Sequence, residues 1–251
     1  MAEVKPKVTL VTYTPNPEHV IAEMARLCYA KDEEVSKLFK GDINFLNDAR
    51  MIKMLVNMKH LSPLEHASWS FEIEGISRAL THQLVRHRLV SYSQRSQRYV
   101  EQKNFDFIIP PTIKGAGMEE RYKEMMETIG GFYEELSQGI EKKLGLTGES
   151  RNQDARYVLP NACETKIGVT ANAREFLHMF GERTCNRAQW EIRGVMKDML
   201  KLAYPTAPNI FVYAGPSCVT EGKCHQGKKT CGKAEEVKVY FEKLKEEKVI
   251  V

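Results

Sequence analysis

The chain has 251 residues, 42% of them hydrophobic, enough for a substantial core in one large domain or one domain with an appendage. Its formal charge is +4 with 28% charged residues, which suits an enzyme with anionic ligands and argues against a nucleic-acid-coating protein, whose basic excess is far larger. No apolar run approaches a membrane span and no apolar signal core follows Met1, so a cytoplasmic protein is expected.

Residues 8–13 are short and β-branched, a predicted strand. Asn16-Pro17 opens a predicted helix to about residue 30, with Ile21, Met24 and Leu27 on one face. Residues 48–58 repeat apolar positions at helical spacing through Ile52, Leu55 and Val56, and Pro63 interrupts the pattern. Residues 68–74 alternate apolar and polar, the mark of a half-buried strand. Helical spacing returns over 77–89 through Leu80 and Leu84. Residues 91–98 have no period and read as a loop, and 107–109 as a short strand. A long helix is predicted over 119–144, a strand over 165–170, helices over 173–180 and 187–202, and an amphipathic terminal helix over 233–245. Strands and helices mix without a strict βαβ rhythm. The predicted class is therefore α+β, a mixed, largely antiparallel sheet flanked by helices.

One stretch stands out chemically. From Ala79 to Val100 there is neither an acidic residue nor a lysine, yet Arg86, Arg88, Arg95 and Arg98 fall within thirteen residues, accompanied by His82 and His87. Uncompensated guanidinium groups repel one another unless an anion sits among them, and arginine's planar fork suits phosphate or carboxylate. On a helix, His82, Gln83, Arg86 and His87 project near one another, opposite Leu80 and Leu84. Ser91, Ser93, Gln94, Ser96 and Gln97 add neutral hydrogen-bonding groups, and Tyr92 and Tyr99 can stack. The pattern resembles a pocket for a phosphorylated small molecule. A solvated basic surface and an RNA-binding stripe are the alternatives, but no RRM or KH signature accompanies the run.

Arg86-His87-Arg88, Ser91, Ser96 and Arg98 match the spacing RHR-x-x-S-x-x-x-x-S-x-R, which is similar to the signature of flavin-dependent thymidylate synthases. Further segments follow in the family's order: His60-Leu-Ser-Pro-Leu-Glu-His66, Arg156-Tyr-Val-Leu-Pro160, Asn172-Ala-Arg174, and Arg183 ahead of Ala188-Gln-Trp-Glu-Ile192. The resemblance covers about residues 8–215. It implies one family domain over 1–215, with a Cys- and Gly-containing tail and terminal helix over 216–251. It also implies reductive methylation of dUMP to dTMP, with methylenetetrahydrofolate as carbon donor, NADPH as reductant and FAD as hydride carrier. By the same resemblance Gln83, Arg86, Gln94, Arg95, Ser96, Gln97, Arg98, Arg156 and Arg183 hold dUMP. His60, Ser62, Arg86, His87, Arg88, Gln94, Asn172, Arg174 and His178 face FAD. Arg183 resembles the arginine that stabilises the uracil ring as its N3 loses a proton, although a charge closing a helix C-terminus would read the same way in sequence. Some members carry Asn and Glu where this chain has Ser93 and Gln94, so an amide replaces a carboxylate there. The family is homotetrameric with active sites shared between subunits, and neither nucleic acid nor membrane is an expected partner.

No enzyme nucleophile is expected. Ser96 has no orienting base and carboxylate at hand, and Cys163 and Cys185 resemble no nucleophilic cysteine of the classical thymidylate synthases. Cys218, Cys224 and Cys231 cluster within fourteen residues and, with His225, offer four ligands of the kind zinc takes. Zinc knuckles use tighter pairs, however, and adjacent Cys224-His225 do not easily reach one ion. Reduced thiols or an oxidised disulfide fit the spacing as well, and no metal site is assigned.

Overall fold

A computed structural model describes residues 1–31, 35, 38 and 44–246. Strands β1 (Lys7–Tyr13), β2 (Ser68–Ser77), β3 (Val90–Gln94) and β4 (Glu164–Asn172) form an antiparallel sheet ordered β1-β2-β4-β3. Helices dominate the rest, so the expected α+β class holds. Register is visible in side-chain pairs: the Ser70 and Thr170 hydroxyls lie 2.8 Å apart, and the Gly75 N–H donates to Glu164 Oε1 at 3.1 Å. β4 buries every second residue, Thr165, Ile167, Val169 and Ala171. β2 runs three residues beyond its expected end. Gly75 makes that possible: at φ +67° a Cβ would lie 2.1 Å from the Lys5 carbonyl oxygen.

Three expectations are corrected. The predicted loop over 91–98 begins as β3, whose half-buried and exposed residues alternate; the Arg95 N–H, just beyond, donates to the Lys166 carbonyl at 2.9 Å. The predicted helix over 77–89 is only α3 (Arg78–Leu84). Ser77 caps its start by accepting from the Leu80 N–H at 3.0 Å, and the Tyr92 hydroxyl donates to the Leu84 carbonyl at 2.7 Å, so both ends are satisfied within seven residues. Arg86 and His87 thus lie beyond the helix, not on its face. Around Phe107 there are only isolated bridges, to Glu3 and Cys163.

The chain divides into two compact units. The first comprises Met1–Lys7, Ile73–Arg86 and Tyr92–Gly168; the second comprises Val8–Glu72, His87–Ser91 and Val169–Val251. In the first, Phe105, Phe107, Ile109, Met126 and Cys163 form a buried cluster under the long helix α4 (Glu119–Leu144), which ends at the left-handed Gly145. Helix α5 (Gly148–Ala155) follows.

The second unit holds α1 (Pro17–Leu27), α2 (Phe45–Asn57), α6 (Ala173–Arg183), α7 (Trp190–Ala203) and α8 (Ala234–Glu246). Its core is a chain of rings from Phe71 through Phe176 and Phe180 to Phe211 and Trp69, with centroids 5.0–5.9 Å apart. Arg26 joins α1 to the buried Asp48 of α2 at 2.8 Å. Gly215 sits so close beneath Phe241 of α8 that a Cβ would come within 2.9 Å of the ring. Among the described residues no helix is long and apolar enough to cross a membrane.

Candidate active site

Helix α6 organises the second unit's cleft. Asn172 caps it, accepting from the Glu175 N–H at 2.9 Å, and the helical repeat then stacks Glu175, His178 and Glu182 along one side. A cleft of about 730 Å³ opens beside it, lined by His178, Glu182, Arg183, Arg187, Tyr213 and Ser217 among others. Arg183 is aimed from behind: its Nε donates to His87 Nε2 at 3.0 Å. His87 is only 5% exposed, and burial, then the adjacent Arg183 charge, push its pKa down to about 4. The ring is therefore neutral near pH 7, with Nε2 as acceptor and the proton on Nδ1, 3.7 Å from Glu175 Oε1. Burial raises the Glu175 pKa as well. Among the described residues Arg183 has no carboxylate partner. A steered cation without an ion pair, at the edge of a large cleft, is suited to an anionic ligand.

The first unit has a cleft of its own, about 280 Å³, lined by Arg78, His82, Gln97, Arg156, Tyr157 and Asn161 among others. Arg156 and Gln97 were expected among the nucleotide-binding residues; Arg78, upstream of the matched motif, was not. Arg78 and Arg156 line the same space, and burial, with a smaller effect of the Arg156 charge, lowers the Arg78 pKa. Neither has a carboxylate partner among the described residues. Gln97 is buried and donates to Cys163 Sγ at 3.6 Å.

The arginine run itself proves less bare than its sequence. Arg98 pairs with Glu149 of α5, and Arg95 lies 3.9 Å from Glu164, so acids from distant segments compensate two of its four cations. Arg86 and Arg88 are exposed and have no ion pair among the described residues. Ser96 Oγ accepts from the Arg98 and Tyr99 N–H groups at 3.1 and 3.5 Å, shaping the turn after β3. Gln94 donates to the hydroxyls of Thr81 and Thr165 at 3.1 and 3.3 Å, a pairing that suits an amide N–H rather than a carboxylate. Gln83 is half-buried in the first unit. In the second unit His60 and Ser62 are exposed, and Arg174 binds Glu65 at 2.6 Å, joining α6 to the turn that starts at Ser62. His178 packs edge-on to His87 with ring centroids 5.6 Å apart.

Cation-lined clefts on an α+β scaffold, one backed by a buried neutral histidine, are suited to anionic small molecules. A family profile described as "Thymidylate synthase complementing protein" matches residues 9–209. A flavin-dependent thymidylate synthase of Clostridium tetani is 47% identical over 94% of this chain and 96% of its own. One from Geobacter sulfurreducens is 46% identical over 95% and 99%, and one from Pyrococcus furiosus 38% identical over 87% and 88%. The chain belongs to the flavin-dependent thymidylate synthase family and is an enzyme of that family.

Proposed function

We propose that the enzyme converts dUMP to dTMP by reductive methylation, with methylenetetrahydrofolate as carbon donor, NADPH as reductant and FAD as redox cofactor, and without an enzyme nucleophile. The observation that carries this reading is Arg183, a cation with no ion pair among the described residues, held by neutral His87 at the edge of a large cleft. A fixed cation beside the uracil ring stabilises the negative charge that develops as N3 loses its proton, and no reorganisation is needed at that moment. Arg78, Arg86, Gln97 and Arg156 bind dUMP through its phosphate and sugar. Ser62, Arg88, Asn172, Arg174 and His178 hold the flavin, with His87 buried behind them as a support, and this donor set of guanidinium, imidazole, amide and hydroxyl groups fits a pyrophosphate-bearing cofactor. FAD, when bound, supplies the hydride chemistry, and the protein binds, orients and polarises.

The absence of a nucleophile is supported by two side chains. Burial pushes the Cys163 thiol up to about 12, far from a reactive thiolate, and Ser96 Oγ is engaged by two backbone N–H groups. Exposed Leu46, Leu89 and Tyr157 offer apolar surface for the homotetramer we expect, with sites shared between subunits. We also keep residues 1–215 as the family domain with 216–251 as its tail, and a cytoplasmic setting. The purified protein should be yellow and should form dTMP from dUMP when NADPH and methylenetetrahydrofolate are supplied. A colourless preparation that takes up no FAD and makes no dTMP would overturn the proposal.

A further inference from the structure

Four of the six cysteines converge in the second unit. Cys185, two residues past the end of α6, and Cys218, Cys224 and Cys231 of the tail line one cavity of about 20 Å³. A space of that size holds a single ion or water and no organic ligand. All four thiols are free of disulfides.

The surroundings suit thiolates. Asn186 Nδ2 donates to Cys231 Sγ at 3.8 Å, and Thr230 Oγ1 lies 3.5 Å from Cys224 Sγ. Arg187 lines the same cavity, a cation that offsets part of the double negative charge left when four thiolates surround a divalent ion. His225, the fourth ligand that sequence spacing suggested, instead pairs with Glu221 at 3.2 Å and lines the larger cleft.

We propose that Cys185, Cys218, Cys224 and Cys231 form a tetrathiolate site for a thiophilic divalent cation, with zinc as occupant, that pins the tail to the end of α6. A closed set of four sulfurs is the mark of a structural rather than catalytic zinc. No three of these sulfurs yet lie within 4.8 Å of one another, so side-chain rotation draws them in as the ion binds. Each ligating thiol gives its proton to solvent, one zinc ion replacing four protons. Because Cys185 follows Arg183 by two residues, the site also braces the cleft wall that carries the catalytic cation.

The test is the metal content of protein purified under reductant without chelator, with replacement by cobalt as the second measurement. Stoichiometric zinc is expected, and the cobalt form should show tetrahedral thiolate bands at wavelengths beyond flavin absorption, with a charge-transfer intensity appropriate to four sulfurs. Cys185→Ser and Cys231→Ser should each weaken zinc binding at least about tenfold, while His225→Ala keeps it. The wild-type cobalt spectrum stands even if a cysteine variant fails to fold. Protein that takes up neither metal, disulfides mapped among the four cysteines, iron in place of zinc, or retention in Cys185→Ser with loss in His225→Ala would each overturn the proposal.

Discussion

In the first unit, Arg78 and Arg156 share a small cleft with no carboxylate partner among the described residues, and the one side-chain hydrogen bond found there to hold either charge runs from Arg156 Nε to the Gln153 carbonyl at 3.2 Å. In the second unit, Arg183 has its Nε fixed by a buried neutral histidine and only its outer edge left for a ligand. Loosely held cations attract an anion that is present throughout the reaction, such as a phosphate. An aimed cation serves a charge that appears at one position in the transition state. Uniform binding moves KM, whereas binding gained only at the transition state moves kcat.

The strongest test of that contrast is Arg183→Ala. It should lower kcat for dTMP formation by about 10²–10³-fold with the thermal midpoint nearly unchanged. A kcat within threefold of the parent would put the two clefts on the same footing. The histidine behind Arg183 gives a second handle. Its folded pKa of about 4 lies below the ordinary 6.5, so the unfolded chain takes up the proton first as the pH drops. The His87 contribution is fully present above pH 6.5 and is lost as pH falls toward 4, roughly 3 kcal/mol in all. Urea midpoints measured across that range should show the loss in the parent and a flatter slope in His87→Gln; equal slopes would remove His87 from the account.

Smaller effects are expected in the first unit. Arg156→Gln should raise the KM for dUMP by about tenfold, and more at low salt, while leaving kcat within twofold. A kcat loss matching that of Arg183→Ala would erase the distinction. Ser96→Ala removes the acceptor that shapes the turn, so turnover should persist with nucleotide affinity weakened by about 1 kcal/mol. Intact binding with no turnover would instead make Ser96 a chemical participant. Cys163→Ala removes the Gln97 contact and some packing but no reacting group, so kcat should stay within about twofold while the KM for dUMP rises slightly, and abolished turnover would reopen covalent catalysis by cysteine.

Much of the fold could be read locally. The bounds of α4 agree with its predicted ones, since its periodicity is sustained over 26 residues and ends at a glycine. β4 is legible because its buried positions alternate in both polarity and sequence. β3 escaped notice because its inward residues, Val90, Tyr92 and Gln94, are only half-buried and lack hydrophobic contrast. Helix α5 escaped because long-range partners hold its polar residues: Arg151 binds Glu101 and Glu141, and Asn152 donates to the Arg98 carbonyl. The candidate site follows the same division. Ordered motifs pointed to Arg156 and Arg183, but spacing says nothing of side chains that meet across the fold. Glu149 beside Arg98 and Cys185 beside the tail thiols are of that kind, as is the His87 acceptor behind Arg183.

Gly215 deserves a final consequence. It lines the large cleft and lies under Phe241, so the floor of the cleft and the seat of α8 are one piece of backbone. Any coupling between cleft occupancy and the docking of the terminal helix through this backbone is reciprocal, each changing the other by the same factor. Protease resistance of the last helix becomes a gauge of what the cleft holds. A Gly215→Ala change, by lifting Phe241, should blunt that gauge before it alters the chemistry.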